Sequence, residues 1–206
     1  MKSIFMTLLR NWYWVLTVLI ASGFGFFFPI DDPSTLKPTK AVSFPEKNYQ
    51  TVRIIVEDQI AQPFVSELLT LMTNRHDLAM EQGPHFTSHP DSFMGRKQQN
   101  CEWLMDFALN NNPDPLDSFV IVLTSHDLNH PTAGLNYMFS AHAEGVSTIS
   151  LNRIEGKKKI ERLCKLIDKA IGLSVYGLEA STNKNSVMYK GIRNLRGLDQ
   201  AGHWYE

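Results

Sequence analysis

The sequence predicts a mixed α/β (α+β) domain preceded by an N-terminal transmembrane helix. Three observations predict it. Residues 12–30 form an uncharged apolar run, and the chain after residue 50 mixes strand-period with helix-period segments. The composition, 43% hydrophobic and 20% charged over 206 residues, supplies enough apolar side chains for one core.

The run WYWVLTVLIASGFGFFFPI is 19 residues long, close to the ~20 a helix needs to cross a bilayer. Lys2 and Arg10 precede it and Asp31 and Asp32 follow, a bias that keeps the N-terminus cytoplasmic and sends the remainder across. Trp12, Tyr13 and Trp14 stand where an interfacial aromatic belt lies. The competing reading is a cleaved secretory signal with Ala21-Ser22-Gly23 at the cleavage site, which would leave a secreted protein. Against it, the apolar run continues through FGFFFPI, and no lipobox cysteine is present. Residues 1–30 are read as the anchor or signal. Residues 31–50, with three prolines and many polar residues, are read as a linker. The domain proper is expected over 51–206.

Within the domain, Val52, Ile54 and Val56 alternate as in a strand. Pro63 opens a helix whose Phe64, Leu68, Leu71 and Met72 recur at helical spacing. GPHFTSHPDSFMG is turn-rich, with a strand at its middle, and a second helix spans 97–109, stopped by Asn110 to Pro115. SFVIVLT, residues 118–124, is a nearly continuous apolar run and so an interior strand. A loop containing DLNHPTAGLNYMF leads to the alternating strand VSTISLNRI. A third helix, 157–171, carries the stripe Ile160, Leu163, Cys164, Ile167 and Ile171 and is closed by Gly172. The order is β-α-(β)-α-β-β-α, then an irregular C-terminal piece.

After residue 30 the chain holds 18 basic against 21 acidic residues, so it lacks the basic face that nucleic acid requires. Two cysteines, Cys101 and Cys164, are too few for a disulfide scaffold and lack zinc spacing. One bridge between them and two buried thiols are the open readings. His85 and His89, and His126 and His130, are spaced four apart, but they lie in Pro- and Ser-containing loops rather than on helices. Cys164 and Asp168 share that spacing on the third helix, with Cys164 on the core stripe.

Four stretches carry a resemblance. They are RKQQNCEWLMDF (96–107), VIVLTSHDLNHPTAGLNYMFSAHA (120–143), GVSTISLNRI (145–154) and a third helix ending in Gly172-Leu173 followed by Ser186-Val187-Met188-Tyr189. In order and spacing they resemble the archaemetzincin family of zinc peptidases, within the metzincin clan, over roughly residues 50–200. The resemblance implies a metzincin-like mixed sheet packed on helices, with Met188 in the Met-turn. It also implies a cleft beside an edge strand, which GVSTISLNRI resembles. Its rim is expected at Ser147, Thr148, Ile149, Ser150, Leu151 and Asn152, where a peptide adds as a further strand.

The chemistry of that family sits on HExxHxxGxxH, in which three histidines hold zinc and the glutamate activates water. Anchored on Gly172, the matching positions here are Lys165, Leu166, Lys169 and Val175. Two ammonium groups repel a dication, leucine has no titratable group, and valine has no lone pair. The family's cysteine zinc site falls on Tyr176 and Ser186 and is absent as well. Gly172 and Met188 are kept as fold markers while every ligand is gone. The chain is therefore expected to lack zinc and catalytic residues. The expected protein is a membrane-anchored pseudoprotease, its domain on the extracytoplasmic side, binding a peptide or protein partner. The alternative is an active peptidase of this type using other ligands. If the match fails, Glu161 and Lys165 are an ordinary i, i+4 pair on a solvated helix face.

Overall fold

The computed structural model describes residues 48–94, 97–203 and 205. The predicted anchor and all but the last three residues of the predicted linker lie outside them. Among the described residues no helix is long and apolar enough to cross a membrane.

Strand β1 (Thr51–Glu57) leads to helix α1 (Gln62–Arg75), which Pro63 opens in its first turn, and then to β2 (Ala79–Phe86). Two short strands, β3 (Phe93–Met94) and β4 (Gln98–Asn100), precede helix α2 (Cys101–Asn110). The chain continues through β5 (Ser118–Thr124), β6 (Leu128–His130), β7 (Leu135–Met138), β8 (Ser140–Ala143) and β9 (Val146–Ser150). Helices α3 (Lys159–Ser174) and α4 (Leu195–Gln200) finish it.

The main sheet has the order β2-β1-β5-β9-β8. Its first four strands run parallel and β8 runs antiparallel to β9. Helices cover both faces, which is why β5, at the centre, is apolar from Phe119 to Leu123. Val52, Ile54 and Val56 pack with α1 and α3 on one face. Ile55, Val120 and Val122 pack with α2 on the other. A small sheet, β3-β4-β6-β7, sits beside the C-terminal end of β5.

Several expectations are corrected. The loop expected at DLNHPTAGLNYMF is the β6–β7 hairpin, and the second helix starts at Cys101 because residues 98–100 are β4. Asn100 sets that start by accepting the backbone N–H of Glu102 at 2.9 Å. Gly172 does not close the third helix. It lies within α3, and the left-handed residue that ends the turn is Gly177, at φ +61°. The rim moves too. Ser147, Thr148, Ile149 and Ser150 are fully buried in β9, which has strands bonded on both sides, so no peptide can add there. Leu151 is buried and Asn152 exposed, both just past the strand. The antiparallel edge is β8.

Cys101 and Cys164 are free and buried in the two separate cores, on opposite faces of the sheet. This is the reading of two small apolar side chains. Burial pushes the Cys101 thiol up to about 11 and the Cys164 thiol up to about 12.

An ionic cluster not expected from the sequence joins α1 to α3. Asp168, 2% exposed, accepts Arg75 Nε at 3.3 Å, pairs with Arg75 Nη2, and lies 2.9 Å from His76 Nε2. The Tyr205 hydroxyl donates to the Asp168 carbonyl at 2.7 Å, tying the chain end to the same turn. Removing one partner of such a cluster strands the others in a low-dielectric interior. Asp168→Ala is therefore expected to cost about 3–5 kcal/mol, read as a drop in the thermal unfolding midpoint. Asp168→Asn, which keeps the shape and part of the hydrogen bonding, should cost less.

Candidate functional site

Helix α3 carries Lys165, Leu166 and Lys169, with Val175 as its C-cap; these are the four residues that the resemblance aligns with the zinc motif, and they stand in different surroundings. Lys165 is 2% exposed. Its Nζ lies 3.2 Å from Glu161 Oε1, 3.3 Å from the Leu198 carbonyl and 3.4 Å from the Asp199 carbonyl. An ammonium has three N–H groups, and here three acceptors meet them. The i, i+4 pair with Glu161 does form, but on a face covered by α4 rather than by solvent.

Lys169, one turn later, points elsewhere. It lines a cleft of about 570 Å³ with Leu166, Met138, Phe139, Ser140 and the segment at Ile192-Arg193. Its Nζ donates to the Tyr189 carbonyl at 2.8 Å, and among the described residues no carboxylate pairs with it. Burial holds the Lys169 ammonium below the ordinary lysine range. Nearby on β8, His142 contacts Ser147 Oγ at 2.7 Å and Ser140 Oγ at 3.1 Å. Burial, with the Lys169 charge added to it, pushes this imidazole down to about 4, so it is neutral at pH 7.

Val175 is fully buried in the main core and does not reach the cleft. Tyr176 and Ser186 are buried as well. Gly172 serves close packing. A Cβ placed there would stand 2.6 Å from Met188 Sδ and 2.6 Å from Tyr205 Cε1, so a larger residue would have to displace these two side chains. The cleft's far wall contains Tyr137, held at φ +59° with the Arg153 guanidinium 4.4 Å from its ring centroid. Non-glycine residues seldom adopt that conformation, and it costs on the order of 1 kcal/mol. Arg153 Nε also meets Asp127 Oδ1 at 2.6 Å, and Ser150 Oγ donates to the His126 carbonyl at 2.7 Å. These contacts join the SHDL and SLNR stretches physically.

The histidine pairs do not converge. His85 contacts Gln82 and Gln62, and His89 caps the short 3-10 turn at Pro90–Ser92. His130 Nδ1 lies 2.7 Å from Glu102 Oε1, and His126 Nε2 lies 3.2 Å from Glu57 Oε1. Cys164 is on the core side, and Asp168 serves the Arg75–His76 cluster. Among the described residues no group of three or more His, Cys, Asp or Glu side chains is placed to hold a metal. The four residues that the resemblance aligns with the zinc motif do not fit zinc: Leu166 and Val175 have no donor atom, and the two lysine side chains are already engaged with protein acceptors.

Glu57, 1% exposed, ends β1 where the chain order reverses between β1 and β5, a place where ligands often bind open α/β sheets. It accepts the Ser125 N–H at 2.7 Å, Ser125 Oγ at 2.6 Å, Thr124 Oγ1 at 3.2 Å and the Ser88 hydroxyl. Thr124 Oγ1 also meets Gln99 Oε1, so its single O–H is shared between two acceptors. The arrangement fastens strand ends.

No protein-family model matches the chain, and no curated protein matches it. Solved structures do. Archaemetzincin from Methanopyrus kandleri aligns with a TM-score of 0.64 at 19% identity, over 78% of this chain and 91% of that one. Archaemetzincin from Archaeoglobus fulgidus, complexed with malonate, aligns at 0.64 and 18% identity, over 76% and 96%. A zinc-dependent peptidase from Methanocorpusculum labreanum aligns at 0.58 and 18% identity, over 75% and 95%. The fold is archaemetzincin-like.

Two outcomes are expected at these positions. Burial alone would raise the Glu57 carboxyl, but its hydrogen bonds from Ser125 and Ser88 outweigh that and hold it below the ordinary value. A depressed folded-state carboxyl stabilises above the unfolded-state pKa and loses that contribution as pH falls through the folded one. Urea midpoints should therefore decline below about pH 4.5, and Glu57→Gln should flatten that decline. Gly172→Ala should lower stability by about 1–3 kcal/mol through overpacking against Met188, read from the same midpoints at pH 7.

Proposed function

We propose that the chain is a membrane-anchored, metzincin-like pseudoprotease, a non-catalytic module that binds a peptide or protein partner. One observation carries the reading: the cleft wall opposite β7 and β8 presents Lys169 and Leu166 at the positions aligned with a histidine and the glutamate of the motif. A dication about 4 Å from an ammonium, at an effective dielectric of ~20, is repelled by roughly 8 kcal/mol. No metal site of ordinary affinity survives that beside Lys169. Leu166 adds only apolar surface, so nothing at its position removes a proton from water.

Binding does not need the zinc. The cleft persists at about 570 Å³, walled on one side by the helix and on the other by the run from β7 into β8. Among the described residues β8 pairs with β9 alone, so its outer edge is available to an extended chain. The anchor reading rests on the 19 uncharged residues from Trp12 to Ile30 and the charges flanking them. It places the domain on the extracytoplasmic side of a membrane.

Elemental analysis of the purified full chain checks the catalytic half of the reading. Zinc below about 0.1 equivalent and no chelator-sensitive proteolysis are expected, because an ammonium stands at a ligand position. Stoichiometric zinc, with hydrolysis abolished by replacing His126 and His130, would establish the active-peptidase alternative instead. Retention in the membrane pellet after alkaline carbonate washing is expected for the anchor, and full release of a shortened chain would show a cleaved leader.

A further inference from the structure

We propose that the cleft beside α3 is a carboxylate subsite, in which the Lys169 ammonium receives a carboxylate of a bound peptide. This rests on the peptide-binding reading above and narrows it to a ligand chemistry.

The first argument is one of unmet charge. Lys169 Nζ uses one N–H on the Tyr189 carbonyl, and its other two donors have no protein acceptor among the described residues. Lys165, one turn earlier on the same helix, has the counter-ion and carbonyls that a buried ammonium needs. The same sequence thus neutralises one lysine and leaves the other open, and the open one is at the cleft. Desolvated cations without partners are unfavourable, so an anion entering here gains more than it would at a solvated surface lysine.

The second argument is the sign of the whole wall. The cleft's lining contains Lys169 and Arg193 and no aspartate or glutamate. Arg193 is exposed at the rim and has no ion pair among the described residues. His142, the nearest titratable group on β8, is neutral and adds no opposing charge.

Shape supplies the third. Leu166, Phe139 and Met138 give the cleft apolar walls for a side chain, while the edge of β8 offers backbone groups to an extended strand. The complementary ligand is an extended peptide with an apolar residue next to a carboxylate. That carboxylate comes from a free C-terminus or from an aspartate or glutamate side chain.

The test uses the full chain in detergent micelles, immobilised and exposed to three pools of random acetylated pentapeptides. One pool ends in free acids, one in carboxamides without acidic residues, and one in carboxamides with Asp or Glu at the last position. Retention of an acid-bearing pool at least about tenfold above the neutral carboxamide pool is expected, in line with a charge-assisted hydrogen bond. The two acid-bearing pools identify the source of the carboxylate. Lys169→Met should abolish the preference, Arg193→Gln should reduce it about threefold, and Lys184→Gln, outside the cleft, should leave it unchanged. Equal retention of all three pools would overturn the carboxylate subsite while leaving peptide binding intact, and retention of none would overturn both. Should Lys169→Met fail to fold, an unchanged preference in the exposed-site variant Arg193→Gln would still count against the proposal.

Discussion

Helix α3 is packed most tightly at a residue with no side chain. At Gly172 an added methyl group would stand 2.6 Å from the Met188 sulfur and 2.6 Å from the Tyr205 ring, so both side chains rest against the helix backbone. From there the other contacts follow along the helix. One turn back, Asp168 draws in Arg75 and His76 from the end of α1, and Lys165 reaches the carbonyls at the end of α4. The cleft exists because this helix, held from three sides, stands off from β8.

Two lysines four residues apart show how local surroundings decide what a charge does. The resemblance aligns both with histidines. Lys165 is a fastener, matched N–H for acceptor. Lys169 is held by a single carbonyl, in a cleft wall without an acid among the described residues.

Much of the fold was legible because its periodicities are strong. The alternation at Val52, Ile54 and Val56, the unbroken apolar run of β5 and the stripe along α3 each reflect one buried face or two. Gly172 and Met188 could be singled out through the family resemblance, and the structure places the Met188 sulfur against the Gly172 backbone. The edge strand could not be found that way. VSTISLNRI and SAHA both alternate, and only the pairing order shows that the first is interior and the second is the edge. The polar start of β2 and the three-residue strands of the small sheet are too short or too exposed to leave a periodic trace. The Glu57 and Asp168 clusters were invisible for another reason, since their members come from segments up to 93 residues apart.

The two thiols have a consequence for redox chemistry. Lying on opposite sides of a five-stranded sheet, they cannot reach one another without unfolding. With Cys101 near 11 and Cys164 near 12, no more than about one in ten thousand of either is the reactive anion at neutral pH. In the folded domain these two thiols are thus poor partners for disulfide exchange.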